Sequence, residues 1–169
     1  MDIDKTPNRS TSQRSRSSSE TDAIALLTKD HAAVLAGFKQ YEKLGDKALA
    51  AKQKLAQQLC EDLTIHMRIE EEIFYPAVRE ALGDDDMMDE AEVEHDAARN
   101  LIGEIEDMDA SESHYDAKVK VLGEEVQHHV KEEQDEMFAK VRDAKLDLDA
   151  LGRQMAERKL ELKAEFSGE

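Results

Sequence analysis

The chain has 169 residues, of which 37% are charged, with only 7 Gly, 2 Pro and 4% aromatics. That length fits one domain with a sizeable core, and the profile suits long amphipathic helices rather than a sandwich or barrel. A formal net charge of −17 excludes a nucleic-acid-binding surface, because phosphate contacts need clustered Lys and Arg.

Residues 1–20 are rich in Ser and Arg and hold one aliphatic side chain, Ile3, besides the first Met. They cannot bury enough apolar surface to offset the entropy of ordering, so a disordered tail is expected there. From Thr21 the pattern is helical. Ile24, Leu27, His31, Val34, Phe38 and Tyr41 recur at alternating steps of 3 and 4, the seam of a bundle helix. Gly45 is expected to end that helix and Asp46 to cap the next. The second seam runs Leu55, Leu59, Leu63, His66, Glu70, Ile73 and Ala77, with Pro76 expected to kink or break the helix near its end.

Gly83 and Asp84 to Asp86 form a turn and cap; the remaining ligands of a calcium loop are absent. A third seam comprises Met88, Ala91, His95, Ala98, Ile102, Ile105 and Met108, and the chain turns again near Ser111 or Ser113. A fourth comprises Val119, Leu122, Val126, His129, Glu133 and Met137. Residues 146–169 form a short C-terminal helix with a thinner stripe (Leu148, Leu151, Met155, Lys159, Leu162, Phe166), packed on or extending from the bundle. The expected fold is all-α, an up-down-up-down four-helix bundle over residues 21–145.

Cys60 is alone, so no intramolecular disulfide forms and a reducing, cytoplasmic compartment is the simplest expectation. The N-terminus lacks the apolar stretch of a secretion signal. No apolar run approaches the roughly 18 residues of a membrane span.

Polar residues inside all four apolar seams carry the chemistry: His31 in the first, His66 and Glu70 in the second, His95 in the third, His129 and Glu133 in the fourth. His66-x-x-x-Glu70 puts an imidazole and a carboxylate on one helical face, one turn apart, and His129-x-x-x-Glu133 repeats the arrangement. His31 to His95 is 95 − 31 = 64 residues, while His66 to His129 and Glu70 to Glu133 are both 63. Each half of the chain thus supplies a His on its first helix and His-x-x-x-Glu on its second. Ionised carboxylates are rarely buried without a partner. Metal ions held by neutral imidazoles and balanced by the two glutamates remove that penalty. His128 and Glu132 offer the same spacing as His129 and Glu133 on the fourth helix; the 63-residue offset favours the latter.

These motifs over residues 21–145 resemble the hemerythrin-like HHE cation-binding family. The resemblance implies a bundle around a non-haem di-iron centre. One iron would take His31 and His66 and the other His95 and His129, with Glu70, Glu133 and an oxo or hydroxo group bridging them. Oxygen carriers of that family place a further His one turn after the third-helix ligand, where this chain has Arg99. Both irons would then keep an open position, which favours reaction over reversible carriage. Arg99 could edge that pocket or face solvent.

Glu71, Glu72, Glu132, Asp135 and Glu136 read as a solvated face, Tyr75 as packing beneath Pro76 with a place near the cluster as the alternative, and His114 as surface. Cys60 reads as half-buried, with nothing nearby to activate its thiol. The functional expectation is a di-iron protein that binds or reacts with dioxygen, peroxide or a related small molecule, in oxygen or redox sensing or in peroxide detoxification, the latter as a weak peroxidase, catalase-like or oxidase activity. The alternatives are iron buffering, a nitric-oxide stress role, and a metal-stabilised interaction module. Ferritin-like sites use more carboxylates in Glu-x-x-His spacing, which disfavours a ferroxidase cage. No appended signalling or DNA-binding segment occurs in the 169 residues, which disfavours a sensor.

Overall fold

The computed structural model describes residues 22–168. The expected disordered tail lies outside the described residues. Helix α1 (Ala23–Glu42) starts at Asp22, whose side chain accepts a hydrogen bond from the Ala25 N–H. Helix α2 (Leu49–Ile69) passes through one π-helical turn, π1 (Glu70–Phe74), into α3 (Tyr75–Leu82). Gly83, with φ +61°, closes α3 in the left-handed conformation that favours glycine. Asp84 then caps α4 (Asp85–Glu106) by accepting from the Met87 N–H. Helix α5 (Tyr115–Glu132) passes through a second π turn, π2 (Glu133–Met137), into α6 (Phe138–Asp143). Helix α7 (Leu148–Ser167) completes the chain, capped by Asp147.

Helices α1, α2, α4 and α5 form the bundle, with α1 against α2 and α5, and α4 against α2 and α5. The seam residues are buried because each helix turns its apolar stripe inward. Gly37 lets α1 and α2 approach closely; a Cβ there would lie 2.5 Å from Leu59 Cδ2.

Four expectations are corrected. Asp46 does not cap α2, which begins three residues later after Ala48 and has no side-chain cap. Pro76 neither breaks nor ends its helix, which continues to Leu82. The widening lies one turn earlier, at π1, and recurs at π2, where Ala139 follows in place of proline; proline is therefore not its cause. The C-terminal helix is not short, since α7 has 20 residues, as many as α1. It lies on α1, α2 and π1, buries Met155 and Leu162 completely, and leaves Phe166 exposed. Cys60 is fully rather than half buried, and burial, with Glu106 adding, pushes its thiol up to about 12.

The core comes in two parts. One contains Val34, Phe38, Leu59, Leu63, Ala98, Leu122 and Val126. The other contains Leu27, Ile69, Phe74, Ala91, Met137, Phe138 and Met155. On α1, His31 stands between Leu27 of one part and Val34 of the other, and on α4 His95 stands between Ala91 and Ala98. A polar layer divides the apolar interior.

Candidate metal centre

His31, His66, Glu70, His95, His129 and Glu133 are all buried, Glu70 completely, and the structure brings them together in this layer. Two donor groups overlap there: His31, His66, Glu70 and Glu133 form one, and Glu70, His95 and His129 the other. His31 Nε2 and His66 Nε2 are 3.1 Å apart, and His95 Nε2 and His129 Nε2 are 3.2 Å apart. Glu70 spans the two pairs. Its Oε1 is 3.0 Å from His66 Nε2, and its Oε2 is 3.2 Å from His95 Nε2. Glu133 Oε2 lies 3.0 Å from His31 Nε2 and 3.8 Å from His129 Nε2. His128 and Glu132 are on the surface, where His128 Nε2 sits 3.1 Å from Glu132 Oε1 and 3.6 Å from Glu94 Oε1. His114 is exposed.

Each imidazole is oriented from behind. His31 Nδ1 lies 3.0 Å from Gln134 Oε1, His66 Nδ1 3.4 Å from Asp30 Oδ2, His95 Nδ1 2.7 Å from Glu71 Oε1, and His129 Nδ1 2.6 Å from Glu94 Oε2. These oxygens only accept, so the ring proton sits on Nδ1 and a neutral ring turns the Nε2 lone pair inward. Four converging lone pairs and two carboxylates are a donor set suited to a cation. Glu70 Oε1 and Glu133 Oε2 have no hydrogen-bond donor among the described residues, and an unsatisfied buried carboxylate is costly. The residues present therefore fit a metal pair held by imidazole nitrogen and carboxylate oxygen, with the outer partners that such ligands require.

In metal-free protein, protons on the imidazoles balance the carboxylates. Burial opposes charge on His66, yet Glu70 and Asp30 outweigh it and raise its pKa to about 10. Burial likewise opposes charge on His95, and Glu70 with Glu71 raises it to about 9. Glu70 is itself desolvated, but the imidazoles of His66 and His95 hold it well below the usual carboxylate range.

Sequence reasoning missed the orienting residues, although each is a chain neighbour of a motif residue. Asp30 precedes His31 and Glu94 precedes His95; Glu71 follows Glu70 and Gln134 follows Glu133. Glu71 is thus not simply part of a solvated face. It holds His95 and is itself held by Arg99. Arg99 does not edge the cavity between the imidazoles. Its guanidinium binds Glu71 and, at 2.6 Å, Asp96, and its side chain is 39% exposed. Asp30 is gripped from α7 by Lys159.

Tyr75 is the other correction. Instead of packing beneath Pro76, its hydroxyl enters the layer, 3.2 Å from Glu133 Oε1, 3.3 Å from Glu70 Oε2 and His95 Nε2, and 3.4 Å from His129 Nε2. The π turn explains this. The Tyr75 N–H donates to the Glu70 carbonyl five residues back, one residue more than an α-helix allows, so residue 75 rather than 74 stacks over Glu70. The other half repeats the turn, the Phe138 N–H donating to the Glu133 carbonyl. There the side chain is Phe138, stacked on His31 with centroids 6.0 Å apart and planes at 9°. Burial and the two carboxylates push the Tyr75 phenol well above its ordinary pKa, so it remains a proton-bearing donor.

Residues 22–141 match the family described as the Hemerythrin HHE cation binding domain. A crystal structure of a hemerythrin HHE cation binding domain-containing protein from Mycobacterium kansasii superposes with a TM-score of 0.74 at 21% identity, covering 85% of this chain and 88% of that one. No curated protein matches the chain. No helix among the described residues is long and apolar enough to cross a membrane.

Proposed function

This chain belongs to the hemerythrin HHE cation-binding family, a metal-binding domain, and we propose that its polar layer holds two iron ions and reacts with a small oxidant such as dioxygen or peroxide. The observation that supports this most strongly is the set of four Nδ1-anchored imidazoles facing two carboxylates whose inner oxygens lack donors. His31 and His66 would hold one ion, and His95 and His129 the other. Glu70 and Glu133 would lie between them. A mixed nitrogen and oxygen set suits iron better than calcium or magnesium, which prefer all-oxygen shells. Bound iron supplies redox chemistry and a position for a small molecule.

The chain's own residues supply the rest. Asp30, Glu71, Glu94 and Gln134 keep the lone pairs aimed inward, so little reorganisation accompanies loading. Tyr75 donates a hydrogen bond to Glu70 or Glu133 and brings a hydroxyl to the inner side of the layer, where the imidazoles present lone pairs. A proton donor at that place favours reduction of a captured oxidant over its unchanged release. Val34, Leu63 and Met67 wall the cavity beside the imidazoles and limit water.

The reading is tested by metal analysis and absorption spectroscopy of aerobically purified protein. Two irons per chain with oxo-to-iron charge-transfer bands are expected, together with measurable peroxide consumption. Glu70→Ala should lose both ions, and His66→Ala at least one. Stoichiometric zinc without such bands would overturn it in favour of a structural metal module.

A further inference from the structure

One His-x-x-x-Glu motif takes no part in the polar layer. His128 and Glu132 stand one turn apart on the outside of α5, and Glu94 of α4 meets them there. His128 Nε2 is 3.1 Å from Glu132 Oε1 and 3.6 Å from Glu94 Oε1, and one ligand atom from each of the three lies within 4.8 Å of the others. Two ligands about 2.1 Å from one ion, at right or tetrahedral angles, stand about 3.0–3.4 Å apart, so small side-chain shifts would admit an ion. Glu94 serves both sides of α5: its Oε2 is engaged by His129 Nδ1 at 2.6 Å, and its Oε1 turns to His128. Among the described residues neither Glu94 nor Glu132 pairs with Lys or Arg.

The first half of the chain solves the same local problem with protein alone. The half-repeat counterparts of Glu94, His128 and Glu132 are Asp30 (94 − 64), Ile65 (128 − 63) and Ile69 (132 − 63). Asp30 orients His66 as Glu94 orients His129, and Lys159 of α7 supplies the positive charge behind it. Ile65 and Ile69 are buried in one cluster with Met155 and Leu162 of α7. In the second half His128 and Glu132 replace the two isoleucines, with side chains 62% and 39% exposed. Metal-ligating groups thus stand open to solvent where the first half has a lysine and an apolar cover.

A cavity of about 40 Å³ lies beside these groups. Exposed Glu90 and Glu136 line it together with Glu94, Glu132 and the buried His129 and Glu133, so it runs from the surface to two residues of the layer. We propose that Glu94, His128 and Glu132 form an outer site for a divalent cation such as ferrous iron, from which the buried pair is loaded. The loading role rests on the reading of the layer as a metal pair; the outer site does not. One imidazole and two carboxylates suit a first-row divalent ion better than calcium or magnesium, and the two carboxylate charges balance its own. Exposure leaves the remaining coordination positions to water, so the ion is held less firmly than by the larger donor set of the layer. The acids around the cavity raise the local concentration of cations.

The test compares metal-free wild type with His128→Ala, Glu132→Ala and a control, Glu136→Gln, which removes a charge from the same cavity but no proposed ligand. Each is dialysed to equilibrium against cobalt(II) and its metal content measured. Wild type and Glu136→Gln should hold one ion more per chain than His128→Ala and Glu132→Ala. Anaerobic loading with ferrous iron should be roughly tenfold slower in the two alanine variants, the low end of what a charged approach adds to an association rate. The iron retained after gel filtration should equal that of wild type. Equal cobalt content in all four proteins would overturn the outer site, and loss of the ion in Glu136→Gln as well would reduce it to a diffuse acidic face. Less retained iron in His128→Ala would overturn the assignment by making His128 a ligand of the pair. Equal loading rates would overturn the loading role. An extra cobalt ion in a wild type that retains no iron pair would leave the outer site standing and overturn the underlying reading.

Discussion

Removing the Tyr75 oxygen, in Tyr75→Phe, probes how much of the polar layer's stability depends on cations. The ring is 1% exposed, and its hydroxyl faces two carboxylate oxygens at 3.2 and 3.3 Å. One proton can serve only one acceptor at a time, and both distances exceed the usual 2.7–2.8 Å of an O–H···O bond. A hydrogen bond to a charged group contributes about 1.5–3 kcal/mol, so the long geometry points to the lower end, about 1.5 kcal/mol, in metal-free protein. The ring itself should be accommodated as Phe, since Phe138 occupies the equivalent place after π2. For a domain of this size that loss corresponds to a Tm about 3–6 °C lower. In loaded protein the ions take up the carboxylate charge, and the loss should fall below about 0.5 kcal/mol. Thermal unfolding followed by circular dichroism, with chelator and with metal, reads both values. An unchanged Tm in chelator, or the same drop in both states, would refute the reasoning that this hydroxyl stabilises the two carboxylates chiefly in metal-free protein.

Two further outcomes follow from the same geometry. In metal-free protein His66 and His95 have pKa values raised to about 10 and about 9. Their stabilisation is therefore fully present below about 6.5 and lost as pH rises through 9 to 10. Chelated protein should lose roughly 2 kcal/mol or more between pH 6.5 and 10 in urea titrations, while metal affinity rises as the competing protons leave; chelated protein that grows more stable over this range would contradict the assignment. Lys159→Met removes the cation that grips Asp30 behind His66. It should weaken the proposed metal site at His31 and His66 by roughly tenfold, the lower end of the usual outer-shell range because Lys159 acts through Asp30, in competition with a chelator; equal weakening of the proposed site at His95 and His129 would show that α7 acts through the whole bundle.

Much of the bundle was written in the one-dimensional pattern. Alternating steps of 3 and 4 place Ile24, Leu27, Val34 and Phe38 on one stripe, and a stripe that continues for five turns has no other way to leave water. The 63- and 64-residue offsets drew His31, His66, Glu70, His95, His129 and Glu133 into one level, because matched seams on antiparallel helices must meet. What the pattern did not carry is rotation. Glu71 and Glu72 are adjacent and chemically alike, but a helix turns about 100° per residue, so Glu71 reaches His95 while Glu72 meets Arg158 of α7. The π turns add a second rotation that no local residue announces. Pro76 suggested a break, although the widening falls at Glu70–Phe74 and recurs without a proline at Glu133–Met137. That extra residue per turn carries Tyr75 from the packing beneath Pro76 into the layer of ligands. Neighbouring helices decide such displacements, because they alone fix which side chain faces the polar layer.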